Sequence, residues 1–208
     1  MGAGFDLNTK KDPPTVLPQL CQPLTRQFIM ALRSTVYKVD LHIADNDRSY
    51  YATHSVTAAR HPSETEERLM VRVLTYALHS DDTSSLDFAL GLSDPNEPDL
   101  WRRDLTGAIQ LWVDVGLPDD RRLIRAAGRA SDVIVYAYGK NVDIWWKGIK
   151  NKVARLKNLT VFAISAEAST ALTSLVHRSM SIDFNVQDNV IWVSSADGEA
   201  TIEMRKLE

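Results

Sequence analysis

Residues 34–43 alternate, with Tyr37, Val39, Leu41 and Ile43 on one side and Lys38, Asp40 and His42 on the other. A period of two predicts a half-buried strand. Asp45-Asn46-Asp47 is a turn signal, and a second strand is expected near 49–59. Pro62-Ser63-Glu64-Thr65-Glu66 predicts a helix start, with Ser63 as the cap and Glu66 completing a capping box. Leu69, Met70, Val73, Leu74 and Ala77 then repeat at helical spacing, to about residue 78.

Residues 81–98 are polar and turn-rich, apart from a short apolar patch at 86–90. Residues 101–115 read as a hairpin turning near Thr106-Gly107, followed by a helix over Asp119–Ala130. The continuous apolar run Val133–Tyr138 predicts a strand covered on both faces. Val142–Trp146 reads as a further strand, on which Trp145 and Trp146 would face opposite ways. A strand over Leu159–Ile164 and a helix over 166–179 precede an all-β end at 181–186, 190–194 and 201–204. This order predicts an α/β (α+β) domain: a mixed central sheet with flanking helices and a right-handed crossover between 115 and 133.

With 208 residues and 44% hydrophobic content, one domain can bury a sizeable core. No apolar run has the roughly 18–20 residues of a membrane helix. The N-terminus lacks a basic segment followed by an apolar one, and the single cysteine, Cys21, excludes an internal disulfide and a cysteine-cluster zinc site. A cytoplasmic setting is the expectation. Residues 1–29 hold Pro13, Pro14, Pro18 and Pro23, half of the eight prolines, and show neither period. They are expected to be a disordered extension ahead of a domain at 30–208, with Met30 as a start codon; an arm packed on the domain is the alternative.

The net charge of -3 hides two opposed blocks. Residues 64–120 hold thirteen acids against four arginines, and residues 121–157 hold ten bases against two aspartates. Arg121, Arg125 and Arg129 recur every four residues with Arg122 beside them, which on a helix makes a basic face. Two readings stand: a solvated stripe paired with the acidic block, or cations flanking a carboxylate cluster, as phosphodiester sites require. A hairpin turning near 106–107 brings Asp99 and Asp114 opposite each other. Like charges there need a cation or a proton between them. An oxygen-only site suits Mg or Mn rather than zinc.

The five histidines show no ligand spacing, and His61 reads as a surface or capping residue as readily as a phosphate contact. The five tryptophans could stack bases, though core or interface roles are the more usual ones. A serine triad, a glycine-rich phosphate loop and a Rossmann fingerprint are all missing.

Several longer motifs carry a resemblance. Met30-Ala-Leu-Arg-Ser-Thr-Val-Tyr-Lys, Ala59-Arg-His-Pro-Ser-Glu-Thr-Glu-Glu-Arg-Leu-Met, Gly91-Leu-Ser-Asp, Glu97-Pro-Asp-Leu-Trp, Asp114-Val-Gly-Leu-Pro-Asp-Asp-Arg-Arg, Asp143-Ile-Trp-Trp and Ile191-Trp-Val-Ser resemble the YaeQ family of bacterial proteins. The similarity covers about residues 30–205. It implies a variant of the PD-(D/E)XK nuclease architecture, and hence a protein that engages DNA or RNA. Two functions follow as expectations: Mg- or Mn-dependent phosphodiester hydrolysis, or a non-catalytic nucleic-acid-binding or protein-interaction module that kept the fold. Carried over, Pro98-Asp99 resembles the PD step, Asp114 the acidic half of the third motif, and Glu67 the helix carboxylate, with Glu64 as runner-up. These would be the metal ligands. The pattern departs at Gly116, where a lysine is expected. Arg121, Arg122 or Lys147 would then supply the missing cation, and of these only Lys147 could also act as a base.

Overall fold

The computed structural model describes residues 34–83, 85–89, 94 and 96–208. The expected extension over 1–29 lies outside them. The chain runs β1 (Thr35–Asp45), β2 (Tyr50–Arg60), α1 (Glu66–His79), β3 (Leu86–Phe88), β4 (Leu100–Arg103), β5 (Ile109–Val115), α2 (Asp120–Ala127), β6 (Ala130–Tyr138), α3 (Val142–Val153), β7 (Leu159–Ile164), α4 (Ala166–Thr173), β8 (Ser179–Gln187), β9 (Val190–Ser195) and β10 (Gly198–Lys206). This is a mixed α+β fold built on a ten-stranded sheet in the order β2-β1-β8-β9-β10-β7-β6-β5-β4-β3. The neighbours β5, β6 and β7 are parallel, as are β1 and β8. The remaining pairs are antiparallel.

The sheet curls until its two edges approach one side chain. Tyr76 of α1 stacks on Phe88 of edge strand β3, with ring centroids 5.1 Å apart. It meets His54 of the opposite edge strand β2 edge-on at 5.9 Å. The result is a nearly closed, barrel-like sheet around α1, and Leu69 to Ala77 are buried without a break. A helix buried on every side lies in a core rather than on a surface. Arg48 closes its C-terminal end by donating to the carbonyls of Ser80 and Ala77, and Arg102 donates to that of His79. These are carbonyls that a helix terminus leaves without partners.

Outside the barrel the two halves differ. Val133, Val135 and Val161 face outward beneath Leu123 and Ala126 of α2 and Ile149 and Val153 of α3, forming a second core. The outer face of β2-β1-β8-β9 carries no helix among the described residues, and β8 alternates buried and exposed along its whole length.

Several elements differ from the sequence expectations. The stretch 142–146 is the start of a helix. Aromatic and β-branched residues suggested a strand, but the apolar positions continue as Val142, Trp145, Ile149 and Val153, a helical spacing that only the longer window reveals. Trp145 and Trp146 therefore lie side by side at 5.9 Å and not on opposite faces. This helix supplies a second parallel crossover, from β6 to β7. The first helix is capped by Thr65, whose hydroxyl accepts from Arg68 N–H at 3.1 Å, while Ser63 bonds to His61. The patch at 86–90 yields a short strand, β3.

Candidate functional site

The site lies at the C-terminal end of β5, where the hairpin, α1 and α2 meet. Asp99 immediately precedes β4 and continues its register with β5, since Leu100 pairs with Val113. It is therefore the neighbour of Asp114, as the hairpin count requires. Both carboxylates are buried, each 1% exposed.

Asp99 is bound from the barrel interior. Arg68 of α1 donates to both of its oxygens, at 2.8 and 2.9 Å, and Val115 N–H donates to Oδ2 at 2.7 Å. Arg72 Nε lies 3.7 Å from Oδ1. Burial pushes the Asp99 carboxyl up to about 6; Arg68 and Arg72 pull it back, and the charge of Asp114 adds to the rise.

Asp114 is bound from α2. Along β5, Leu111, Val113 and Val115 belong to the inner core, whereas Trp112 belongs to the outer one. Asp114 follows the parity of Trp112 and meets α2. Arg122 donates to both oxygens, Nε at 2.9 Å and Nη2 at 2.7 Å. The same Nη2 donates to the carbonyl of Glu97 at 2.7 Å, which ties α2 to the segment carrying Asp99. Burial alone would lower the Arg122 guanidinium, but its bond to Asp114 outweighs this and holds it above its ordinary value. Two-point guanidinium–carboxylate pairs are the strong, directional form of this contact.

The other expected residues stand apart from this pair. Glu67 is half-buried on α1 and accepts from Ser169 of α4 at 2.6 Å. Glu64, the runner-up, is 4% exposed and is the acid that joins the arginine network, with Arg72 Nη1 3.0 Å from both of its oxygens. Arg121 is exposed on α2, and Lys147 is exposed on α3. Only Arg122 of the three substitute cations reaches a carboxylate. Arg68 and Arg72 escaped sequence reasoning, although Glu64, Arg68 and Arg72 recur every four residues, which is the signal for a shared helical face.

Gly116 has a simple local reason. Its φ is +104°, in the region that side chains rarely adopt, while its N–H donates to Tyr136 at 2.9 Å. A lysine at this position would strain the turn that ends β5.

The donor set does not fit a divalent cation. Asp99 is held at both oxygens by Arg68 and Asp114 at both oxygens by Arg122, so each carboxylate already has its own cation. Among the described residues no group of three His, Cys, Asp or Glu side chains converges on a point.

A second feature is the outer layer. Arg121, Arg125, Lys147, Lys150, Lys152 and Arg155 are all exposed on or beside α2 and α3. Arg125 and Arg129, which lies beyond the end of α2, reach back to Asn96 at 3.3 and 3.1 Å. Lys152 pairs with Asp120 at 3.1 Å and Asp143 with Arg205 at 2.6 Å, so the acids of this layer are partly spent. Ile144 is 73% exposed among these bases.

Comparison with known proteins adds relatives. Residues 30–204 match the family described as YaeQ protein. The YaeQ protein of Salmonella typhi is 38% identical over 176 residues, which is 84% of this chain and 96% of the relative. That of Escherichia coli K12 is 37% identical over 166 residues, 79% of this chain and 91% of the relative. The crystal structure of YaeQ from Xanthomonas axonopodis pv. citri superposes with a TM-score of 0.80 at 43% identity, covering 84% of this chain and 98% of the other. That from Pseudomonas syringae gives 0.80 at 33% identity, covering 84% and 96%.

Proposed function

The chain belongs to the YaeQ family, and from that premise we propose that it is a PD-(D/E)XK-like protein that binds nucleic acid without cutting it. The observation that carries this reading is the exposed basic layer on α2 and α3, around Arg121, Arg125, Lys147 and Lys150. A chain of net charge -3 that places ten of its 24 lysines and arginines between residues 121 and 157 presents a local surface for a polyanion. Adjacent Asp99 and Asp114 at the end of a hairpin, with acids on the preceding helix, support the nuclease-like descent. Their capture by Arg68 and Arg122, with glycine at 116, supports loss of the chemistry. Asp99 and Asp114 are each engaged by an arginine, and among the described residues no third carboxylate joins them to hold Mg or Mn.

The test uses labelled single- and double-stranded DNA and RNA oligonucleotides and the full chain, followed by fluorescence anisotropy at rising salt. The expected result is an affinity that falls steeply with salt and drops further in the Lys147→Glu/Lys150→Glu variant, with every substrate intact after incubation with Mg or Mn. No affinity at low salt would remove the binding reading and leave a protein-interaction module. Cleavage that disappears in Asp114→Asn would overturn the non-catalytic part.

A further inference from the structure

The half of the sheet that carries no helix among the described residues presents a second surface, independent of the basic layer. Antiparallel and parallel registers place Tyr51, Ala44, Asn185 and Trp192 in one straight row across β2, β1, β8 and β9. The next row is Thr53, His42 and Asp183. Partners in register share a face of the sheet, and this one points away from the core. Tyr51, Ala44, Asn185, Thr53, His42 and Asp183 line an open trough of about 660 Å³, and Trp192 stands in register next to Asn185 beyond that lining. Tyr51 is 65% exposed at one end and Trp192 is 43% exposed at the other. Three strand spacings separate them, about 14 Å.

The floor between the two rings is polar and has a definite donor and acceptor pattern. Asp183 makes no hydrogen bond or ion pair among the described residues, so both of its oxygens are open acceptors. Asn185, two residues along the same strand, accepts from Asn46 Nδ2 at 3.3 Å through its oxygen, which leaves its amide N–H groups to donate. His42 is held by Thr53 at 3.3 Å and Ser181 at 3.2 Å. Tyr51 is steadied by a bond from its hydroxyl to Asn46 at 2.8 Å. Ala44 leaves room above the sheet between the rings.

These features select one class of ligand. No lysine or arginine stands in either row, and Asp183 is negative, so a phosphate backbone finds repulsion and no counter-charge. No apolar strip joins the rings, so a hydrophobic protein face finds little to bury. Neighbouring hydroxyls of a sugar match an open acceptor beside an open donor. The C–H faces of its rings match aromatic platforms at the two ends. We infer that the outer face of β2-β1-β8-β9 is a binding trough for a neutral oligosaccharide, with sugar rings stacked on Tyr51 and Trp192 and hydroxyls held by Asp183 and Asn185.

Calorimetric titration of the full chain with cellotetraose, maltotetraose and tetra-N-acetylchitotetraose tests this. At least one should bind in a single-site isotherm. Tyr51→Ala and Trp192→Ala should each weaken that binding about tenfold, whereas Trp192→Tyr, which keeps a ring, should restore most of it. Both residues are exposed, and circular dichroism of each variant shows whether the fold persists. Oligonucleotide binding by the basic layer should be unchanged in Trp192→Ala, which separates this inference from the proposed function. Failure of all three oligosaccharides to bind, or binding that survives both alanine variants, overturns it.

Discussion

Arg122 grips Asp114 through two parallel bonds, Nε to Oδ2 at 2.9 Å and Nη2 to Oδ1 at 2.7 Å. The carboxylate is 1% exposed, while the guanidinium keeps 20% of its side-chain surface in contact with solvent. Removing the acid alone therefore strands a positive charge that is only partly hydrated. Asp114→Asn should cost about 3 kcal/mol, the low end for a broken buried pair. Adding Arg122→Met should recover part of the loss, because the stranded charge goes with it. Urea denaturation of the two single variants and the double variant measures both; an unchanged midpoint for Asp114→Asn would remove the structural role.

The same geometry makes a statement about metals. With Asp99 committed to Arg68 and Asp114 to Arg122, Mg and Mn should neither raise the melting temperature nor give saturable heat on titration. Saturable Mn binding that vanishes in Asp99→Asn would show that the arginines yield to a cation.

Two buried groups oppose each other in acid. Asp99 has a folded value raised from 3.8 to about 6, so the native state holds its proton more tightly than the unfolded chain. Its contribution to stability falls as pH rises from about 4 to about 6. Desolvation lowers buried His79 from 6.5 to about 4, with Arg48 and Arg102 adding to this. The native state therefore binds fewer protons at His79, and stability from this group rises over much the same window. Near cancellation is expected in the wild type. Asp99→Asn should show a clear rise in stability between pH 4 and 6, and His79→Gln a fall. Thermal unfolding at several pH values reads both slopes, and parallel curves for all three proteins would refute the assignment.

Tyr76 joins the two sheet edges through Phe88 and His54. Tyr76→Ala should cost about 3–5 kcal/mol, as for large aromatic truncations in cores. The loss should appear first in β2 and β3, because these edges have one neighbouring strand each. Hydrogen exchange of their amides provides the check, and uniform loss of protection across the sheet would contradict the closing role.

On the basic layer, each of Lys147→Ala and Lys150→Ala should lower the slope of log affinity against log salt by about 1 if the lysine contacts a phosphate. An unchanged slope in both would place the nucleic acid elsewhere.

Much of the secondary structure and part of the site were legible in the chain alone. Alternation around Val39 and Leu41 marks a strand because side-chain direction in a strand has a strict period of two. Counting from the 106–107 turn places Asp99 beside Asp114 because hairpin register is local. The opposed charge blocks are likewise a property of the sequence. One element was misread for want of a longer window. Val142–Trp146 looks like a strand over five residues and becomes a helix only where Ile149 and Val153 extend the period.

By itself, then, the sequence determined most of the elements, the hairpin register and the family, since these depend on neighbours along the chain. Tertiary structure alone decided that Asp99 is held by Arg68 of α1 and Asp114 by Arg122 of α2. It also decided that Tyr51 and Trp192 share one row. Those relations join elements distant in sequence, and they depend on how the sheet curls around α1 and which helix covers which face. No local period encodes either.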